Sequence, residues 1–234
     1  MLAMKYSWLK FALLKYGGAR FLAPNAGLAR GKSARFGTAM LFSDRLSEQE
    51  MLEAKGAKRQ DLLDILLNDF RKAFPDLEFE PQLDFSIINA QAFTLGDKRV
   101  VAIFGGLALH PKLGAEALTF ITLHEAGHHL ARGCRSQRDR SLACECASDY
   151  WAVTVGANRL LQKSGRRLQL RAALEELDQV MSPRQASKHG YPTKDRPNRS
   201  STSGCWAREW RLRRRALFER VRPPMIEGFC ITYV

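Results

Sequence analysis

Three of the five histidines in this 234-residue chain fall within six residues of each other, in "TLHEAGHHLARG", 122–133. His124, Glu125 and His128 fit the pattern H-E-x-x-H. On an α-helix each residue turns ~100° and rises ~1.5 Å, so positions four apart lie about 40° apart and one turn up. Two imidazoles at that spacing can reach a single zinc ion at bonds of ~2.0–2.1 Å. Glu125 sits one position round, beside the ion rather than on it. A carboxylate there can take a proton from a water that zinc has acidified to a pKa near ~7. These residue types at this spacing point to metal-assisted hydrolysis.

Catalytic zinc usually has three protein ligands and one open position. The stretch "ACECASDYWA", 143–152, offers Glu145 as the third. A helix, a turn and a second helix would bring that glutamate back across the first. Asp149 is one turn further along the same face and can accept a hydrogen bond from the distal nitrogen of a ligand histidine. The expected site is one zinc ion on His124, His128 and Glu145, with Glu125 as base and Asp149 behind.

An H-E-x-x-H string also arises on ordinary amphipathic helices. Three features weigh against that reading. Gly127 costs about 1 kcal/mol against Ala inside a helix, so a close approach must justify it. Leu118, Phe120, Ile121, Leu123 and Leu130 make the helix largely buried. Buried histidines need partners, and a second helix with Glu145 and Asp149 supplies them. His129 points ~100° away from His128 and is expected to pack or hydrogen-bond rather than ligate. Cys144 and Cys146 flank Glu145 but would face different ways on a helix, so they are expected as buried thiols.

The elements that must position this site read as α+β. A helix spans 44–74, opened by a Ser47–Glu50 capping box and carried by Leu62, Leu63, Leu66 and Phe70. Strands are expected at 83–94 and 99–104, joined by a Gly96-Asp97 turn. The histidine helix covers 115–132, followed by a polar connection over 133–140. Further helices are expected at 141–160 and 166–181, a Pro/Ser-rich loop at 182–204 and a basic helix at 205–222.

The stretch "NAQAFTLGDKRVVAIFGGLALHPKLGAEALTFITLHEAGHHLARG" resembles the HtpX-like and CAAX-prenyl-endopeptidase family of zinc peptidases, in the gluzincin group. Asn89, Ala90 and Ala92 fit that family's first strand, Gly106-Leu107 its next turn, and His124, Glu125, Gly127 and His128 its helix. Glu145, Asp149 and Ala152 fit its later E-x-x-A-D-x-x-A helix, with Ser148 in an Ala position. The likeness covers about 83–155. It implies a zincin-like fold: a small sheet with an edge substrate strand, packed on the H-E-x-x-H helix and a following Glu-bearing helix. It also implies a zinc endopeptidase whose peptide substrate adds to that edge, bordered by Asn89 and Ala90. The family's late His-Pro and Arg element corresponds loosely to Tyr191-Pro192 with Arg196 or Arg199, making Tyr191, His189 and Arg196 the candidate oxyanion donors. The chain departs from the family in its short gap from His128 to Glu145 and in lacking the transmembrane helices of many relatives. The short gap also resembles ImmA-type peptidases, which cleave repressors.

The flanks are basic. The net charge is +13, and residues 1–43 contain no Asp or Glu. That arm reads as a loosely attached or mis-started segment, or as an organelle or surface address, ahead of a peptidase domain over 44–204. The tail, 205–234, carries "CWAREWRLRRRALFERVRPP", with Trp206, Trp210, Leu217 and Val221 on one helical face. Its arginines read as solvated, or as a dock for nucleic acid or an anionic surface. A zinc-stapled, nucleic-acid-associated binding protein with lost or secondary catalysis is the alternative function. With no run of 18 apolar residues and an odd count of five cysteines, a cytoplasmic, reducing location is expected.

Overall fold

The computed structural model describes residues 35–36, 46–47, 49–51, 56–136, 139–180, 210–220, 225–226 and 229–230. The rest of the basic arm and the 181–209 segment, with His189, Tyr191, Arg196 and Arg199, lie outside the described residues.

The molecule is α+β, with a small open sheet and several helices. Strands β1 (Arg35–Phe36), β2 (Glu78–Gln82), β3 (Ala90–Leu95) and β4 (Lys98–Phe104) lie in the order β1-β3-β4-β2. β3 and β4 form an antiparallel hairpin, in register from Ala90↔Ile103 to Leu95↔Lys98. Its turn holds Gly96 at φ +61°, a left-handed conformation that glycine adopts without strain. β2 runs parallel to β4, and β1 pairs with Phe93 and Thr94 of β3.

The sequence places one strand over 83–94, but the structure starts it at Ala90. Residues 83–89 turn instead, because the backbone there lies against Gly105 and Gly106. A Cβ on either glycine would collide with the carbonyls of Leu83 and Ser86 respectively. β2 is not foreshadowed by the alternation pattern, since it carries Pro81. Proline is tolerated there because β2 is an edge strand, paired on one side only.

Helix α1 (Ala57–Ala73) buries Leu63, Leu66, Leu67 and Phe70, an i, i+3, i+4, i+7 stripe, against the core. The single helix expected over 44–74 is broken. Ser47 and Glu50 do form the reciprocal box: the Ser47 N–H donates to Glu50 Oε2 (2.8 Å) and the Glu50 N–H to Ser47 Oγ (3.3 Å). Gly56, in extended conformation, then opens a separate helix. Arg59 of α1 donates to the carbonyls of Ala108, His110 and Leu113, pinning α2 (Gly105–Ala108) and the turn after it.

Helix α3 (Ala115–Leu130) packs on β3 and β4 and is buried almost throughout. α4 (Glu145–Trp151) runs through a π-helical turn (Ala152–Gly156) into α5 (Ala157–Ser164), which ends at Gly165 with φ +78°. The expected start at 141 fails because the chain turns through 139–142, Ala143 bridges to Arg135 and Cys144 is extended. α6 (Leu170–Asp178) and α3 cap one another. Glu176 accepts from the N–H groups of Gly114 and Ala117, and Glu116 accepts from the N–H of Gln169. α7 (Trp210–Glu219) lies within the basic helix expected over 205–222, gives way to a turn at Arg220, and is tied to α6 at Asp178 by Trp210 and Arg214. A two-stranded ribbon of β5 (Met225–Ile226) and β6 (Phe229–Cys230) follows. No described helix is long and apolar enough to cross a membrane.

Candidate metal centre

α3 presents His124 and His128 one turn apart, and α4 crosses it with Glu145 in its first turn. The crossing is close because Gly127 faces the backbone of Ser148. The two Nε2 atoms are 3.1 Å apart. Glu145 brings Oε2 to 3.2 Å from His124 Nε2 and Oε1 to 3.5 Å from His128 Nε2. Ligand atoms at the corners of a tetrahedral zinc with ~2.0–2.1 Å bonds are ~3.3 Å apart, so these separations fit the donor set to that ion. Donor atoms of His124, Glu125 and His128 also lie within 4.8 Å of one another. The structure thus holds a buried His-Glu-His cluster at metal-binding distance, with Glu145 closing the third side.

Each ring is fixed by its other nitrogen. His124 Nδ1–H donates to Asp149 Oδ1 (2.7 Å). His128 Nδ1–H donates to the carbonyl of Ala143 (2.8 Å), with the Ser148 hydroxyl 3.0 Å from the same nitrogen. Both rings are therefore oriented with Nε2 toward the centre. The Ala143 N–H returns a bond to the His128 carbonyl (2.7 Å), so the chain just before Glu145 is pinned to a histidine of the cluster.

The connection is also covalently closed. Cys134 and Cys144 form a disulfide, with Cα atoms 5.7 Å apart. This corrects the reading of Cys144 as a buried thiol. An antiparallel bridge between Arg135 and Ala143 folds the 133–144 segment back on itself and brings the two sulfurs together. Cys146 is buried and outside that disulfide. Disulfides are uncommon in the cytosol, so the cysteine count is no guide to the compartment. His129 packs away from the cluster and its Nε2 donates to the carbonyl of Val100 (3.0 Å).

Two contacts at this centre were not foreseen from the sequence: the N–H of Ala92, named there only for its place in the strand motif, and the side chain of Arg213. Ala92 of β3 donates its N–H to Glu125 Oε2 (2.7 Å), which ties that carboxylate to the sheet. Asn89 and Ala90 are buried where β3 begins; the Asn89 carbonyl accepts from Phe104, and Ala90 pairs with Ile103. Arg213 of α7 is 4% exposed and donates through Nη2 to Asp149 Oδ1 (2.6 Å). That corrects its assignment to a solvated face, because a buried carboxylate draws it in. A sequence signal existed: Trp210, Arg213 and Leu217 lie at i, i+3 and i+7.

The electrostatics follow from burial. Burial opposes a charge on His124, but Asp149, by charge and hydrogen bond, and Glu145 overcome it and push its pKa up to about 10. Burial, helped by the charge of His124, pulls His128 down to about 4. Burial and the neighbouring Glu145 raise Glu125 to about 8, against the Ala92 N–H and His124. Glu145 is held well below the usual carboxylate range by the two histidines and Arg213, although burial opposes its charge. His124, Glu125 and His128 are each 1% exposed, whereas the Glu145 side chain is 23% exposed, so solvent meets the cluster on the Glu145 side.

The chain matches no protein-family model, no curated protein and no solved structure.

Proposed function

We propose that this chain is a zinc-dependent endopeptidase with a zincin-like arrangement of the gluzincin kind. One observation carries the reading: three donor atoms from His124, His128 and Glu145 at tetrahedral spacing, with an unliganded-side carboxylate, Glu125, next to them. A purely structural zinc site has no use for that fourth group. Zinc on these donors would supply Lewis acidity, acidifying water and polarising a carbonyl.

Glu125 is the proton carrier. Its Oε2 is held by the Ala92 N–H, which fixes the carboxylate and leaves Oε1 to take a proton and return it to a leaving amine. In the metal-free cluster, burial and the neighbouring Glu145 raise its pKa to about 8. Ala92 spends its N–H on Glu125 rather than on β4, so this edge of β3 adjoins the base. Strand addition along Asn89–Ala90, short of the Ala92 N–H that Glu125 already holds, would lay a peptide beside it. Those residues are buried, so entry requires that edge to open. Tyr191, His189 or Arg196 is the oxyanion donor in this reading.

The test is metal analysis of the purified chain together with a peptide-library assay, comparing wild type with Glu125→Gln. One zinc per chain is expected in both, with hydrolysis falling by about 10²–10⁴ in the variant. Protein free of zinc after purification and reconstitution, or a variant as active as wild type, would overturn the proposal.

A further inference from the structure

We infer that Arg213 is a positioning residue of the metal centre: from helix α7 it fixes Asp149 and, through Asp149, the ring of His124. The basic C-terminal helix is then part of the site rather than an appendage. The inference rests on the reading of His124 as a metal ligand.

The geometry is a three-member relay. Asp149 Oδ1 accepts both from His124 Nδ1 (2.7 Å) and from Arg213 Nη2 (2.6 Å), and the two donors stand 3.2 Å apart because they share that oxygen. All three side chains are buried. Among the described residues, Asp149 would otherwise have the side chain of His124 alone to hold its orientation, and it could rotate about its side-chain bonds, taking the imidazole with it. The guanidinium supplies the second anchor from a different helix.

Energetics favour this reading over simple helix docking. Burying a guanidinium costs several kcal/mol before its partners are counted. A helix that needed only to dock would place an apolar side chain at 213, as α7 does at Ala216 and Leu217. Docking is also provided for separately, by Trp210 and Arg214 on Asp178 at the exposed rim. Charge balance gives the arginine a further role. The formal charges of one divalent ion, the carboxylates of Glu125, Glu145 and Asp149, and one guanidinium cancel. Without Arg213 the same buried pocket would carry an excess negative charge.

The experiment uses the full chain as wild type, Arg213→Met, Arg213→Lys, Asp149→Asn, the Asp149→Asn/Arg213→Met pair, and Asp178→Ala. Zinc affinity is read by competition with a chromophoric chelator, and ligand geometry by the visible spectrum of the cobalt-substituted protein. Arg213→Met is expected to weaken zinc about 10–100-fold and to shift the cobalt bands, as loss of a ligand-orienting partner does. Arg213→Lys, a charge without the planar fork, should recover part of the loss. On the Asp149→Asn background, Arg213→Met should add little, since the two act as one unit. Asp178→Ala, which removes the exposed ion pair with Arg214 and the exposed hydrogen bond from Trp210, should change zinc affinity by less than about fivefold.

Folded Arg213→Met with wild-type zinc affinity, or losses that multiply with Asp149→Asn, would overturn the inference. If Arg213→Met does not fold, Arg213→Lys with wild-type affinity and an unchanged cobalt spectrum overturns it equally. A wild type that binds no zinc would instead sink the metal-centre reading itself, so the two failures are distinct.

Discussion

Gly127 meets Ser148 backbone to backbone: a Cβ on Gly127 would stand 2.9 Å from the Ser148 carbonyl oxygen and 3.0 Å from its Cα. This contact sets how closely α4 crosses α3, and so how near Glu145 comes to His124 and His128. Alanine would improve helix propensity by about 1 kcal/mol, but it would push two backbones apart. Gly127→Ala is therefore expected to lose about 1–3 kcal/mol of stability net. Zinc binding should weaken with it. Urea unfolding and chelator competition measure the two effects, and a variant more stable than wild type with unchanged zinc affinity would contradict the steric argument.

Much of this centre is legible in the sequence because its residues lie on two helices at short, regular spacings. His124, Glu125 and His128 are fixed relative to each other by helical geometry alone, and Glu145 and Asp149 by the same rule on α4. Gly127 is legible as a close approach for the same reason. What spans long sequence distances is not. Arg213 is 64 residues from Asp149, in a stretch crowded with arginines, where its i, i+3, i+7 spacing with Trp210 and Leu217 marks its face but not its partner. Ala92 contributes a backbone N–H, which carries no residue-type signal. The Cys134–Cys144 closure depends on a loop reversal that spacing does not reveal, and the break at Gly56 shows how one glycine divides a continuous helical pattern.

The mutual capping of α3 and α6 gives a second prediction. Glu176 Oε2 accepts from the N–H groups of Gly114 (2.8 Å) and Ala117 (2.9 Å), two groups that helix geometry leaves without partners. Its negative charge also lies at the positive end of the α3 dipole. Glu176→Ala should cost about 1–2 kcal/mol. Glu176→Gln, which keeps an acceptor but loses the charge, should cost less. Equilibrium unfolding of both variants checks the order, and equal stability of all three proteins would refute the capping role.

The proton on His124 makes metal binding and stability respond to pH in opposite directions. With a folded pKa of about 10, His124 is charged at neutral pH and must release that proton to bind zinc through Nε2. Zinc binding at pH 7 should therefore release at least one proton, and apparent affinity should rise up to about tenfold per pH unit on the alkaline side of neutrality. Calorimetry in buffers of different ionisation enthalpy counts the protons. In the metal-free protein the raised pKa of His124 contributes stability that is complete below about 6.5 and lost as pH rises through about 10. The depressed pKa of His128 contributes stability that is complete above about 6.5 and lost as pH falls through about 4. Metal-free stability should peak between those limits. A pH-independent zinc affinity with no proton release would rule out a protonated His124.

The disulfide between Cys134 and Cys144 closes the connection that carries Glu145, since Cys144 is the residue immediately before it. Opening a loop of this length removes a constraint on the unfolded chain worth about 2–3 kcal/mol. It also frees the segment that Ala143 pins to His128, so the carboxylate of Glu145 would no longer be held at the histidines before metal arrives. Cys134→Ser, or reduction of the wild type, should lower the urea midpoint and weaken zinc, the second effect because the ligand must be ordered on binding. The variant and the reduced protein should agree. Wild-type protein that, after reduction verified by thiol titration, unfolds at the same midpoint and binds zinc equally tightly would show that the backbone pairing of Ala143 with His128 holds the ligand unaided.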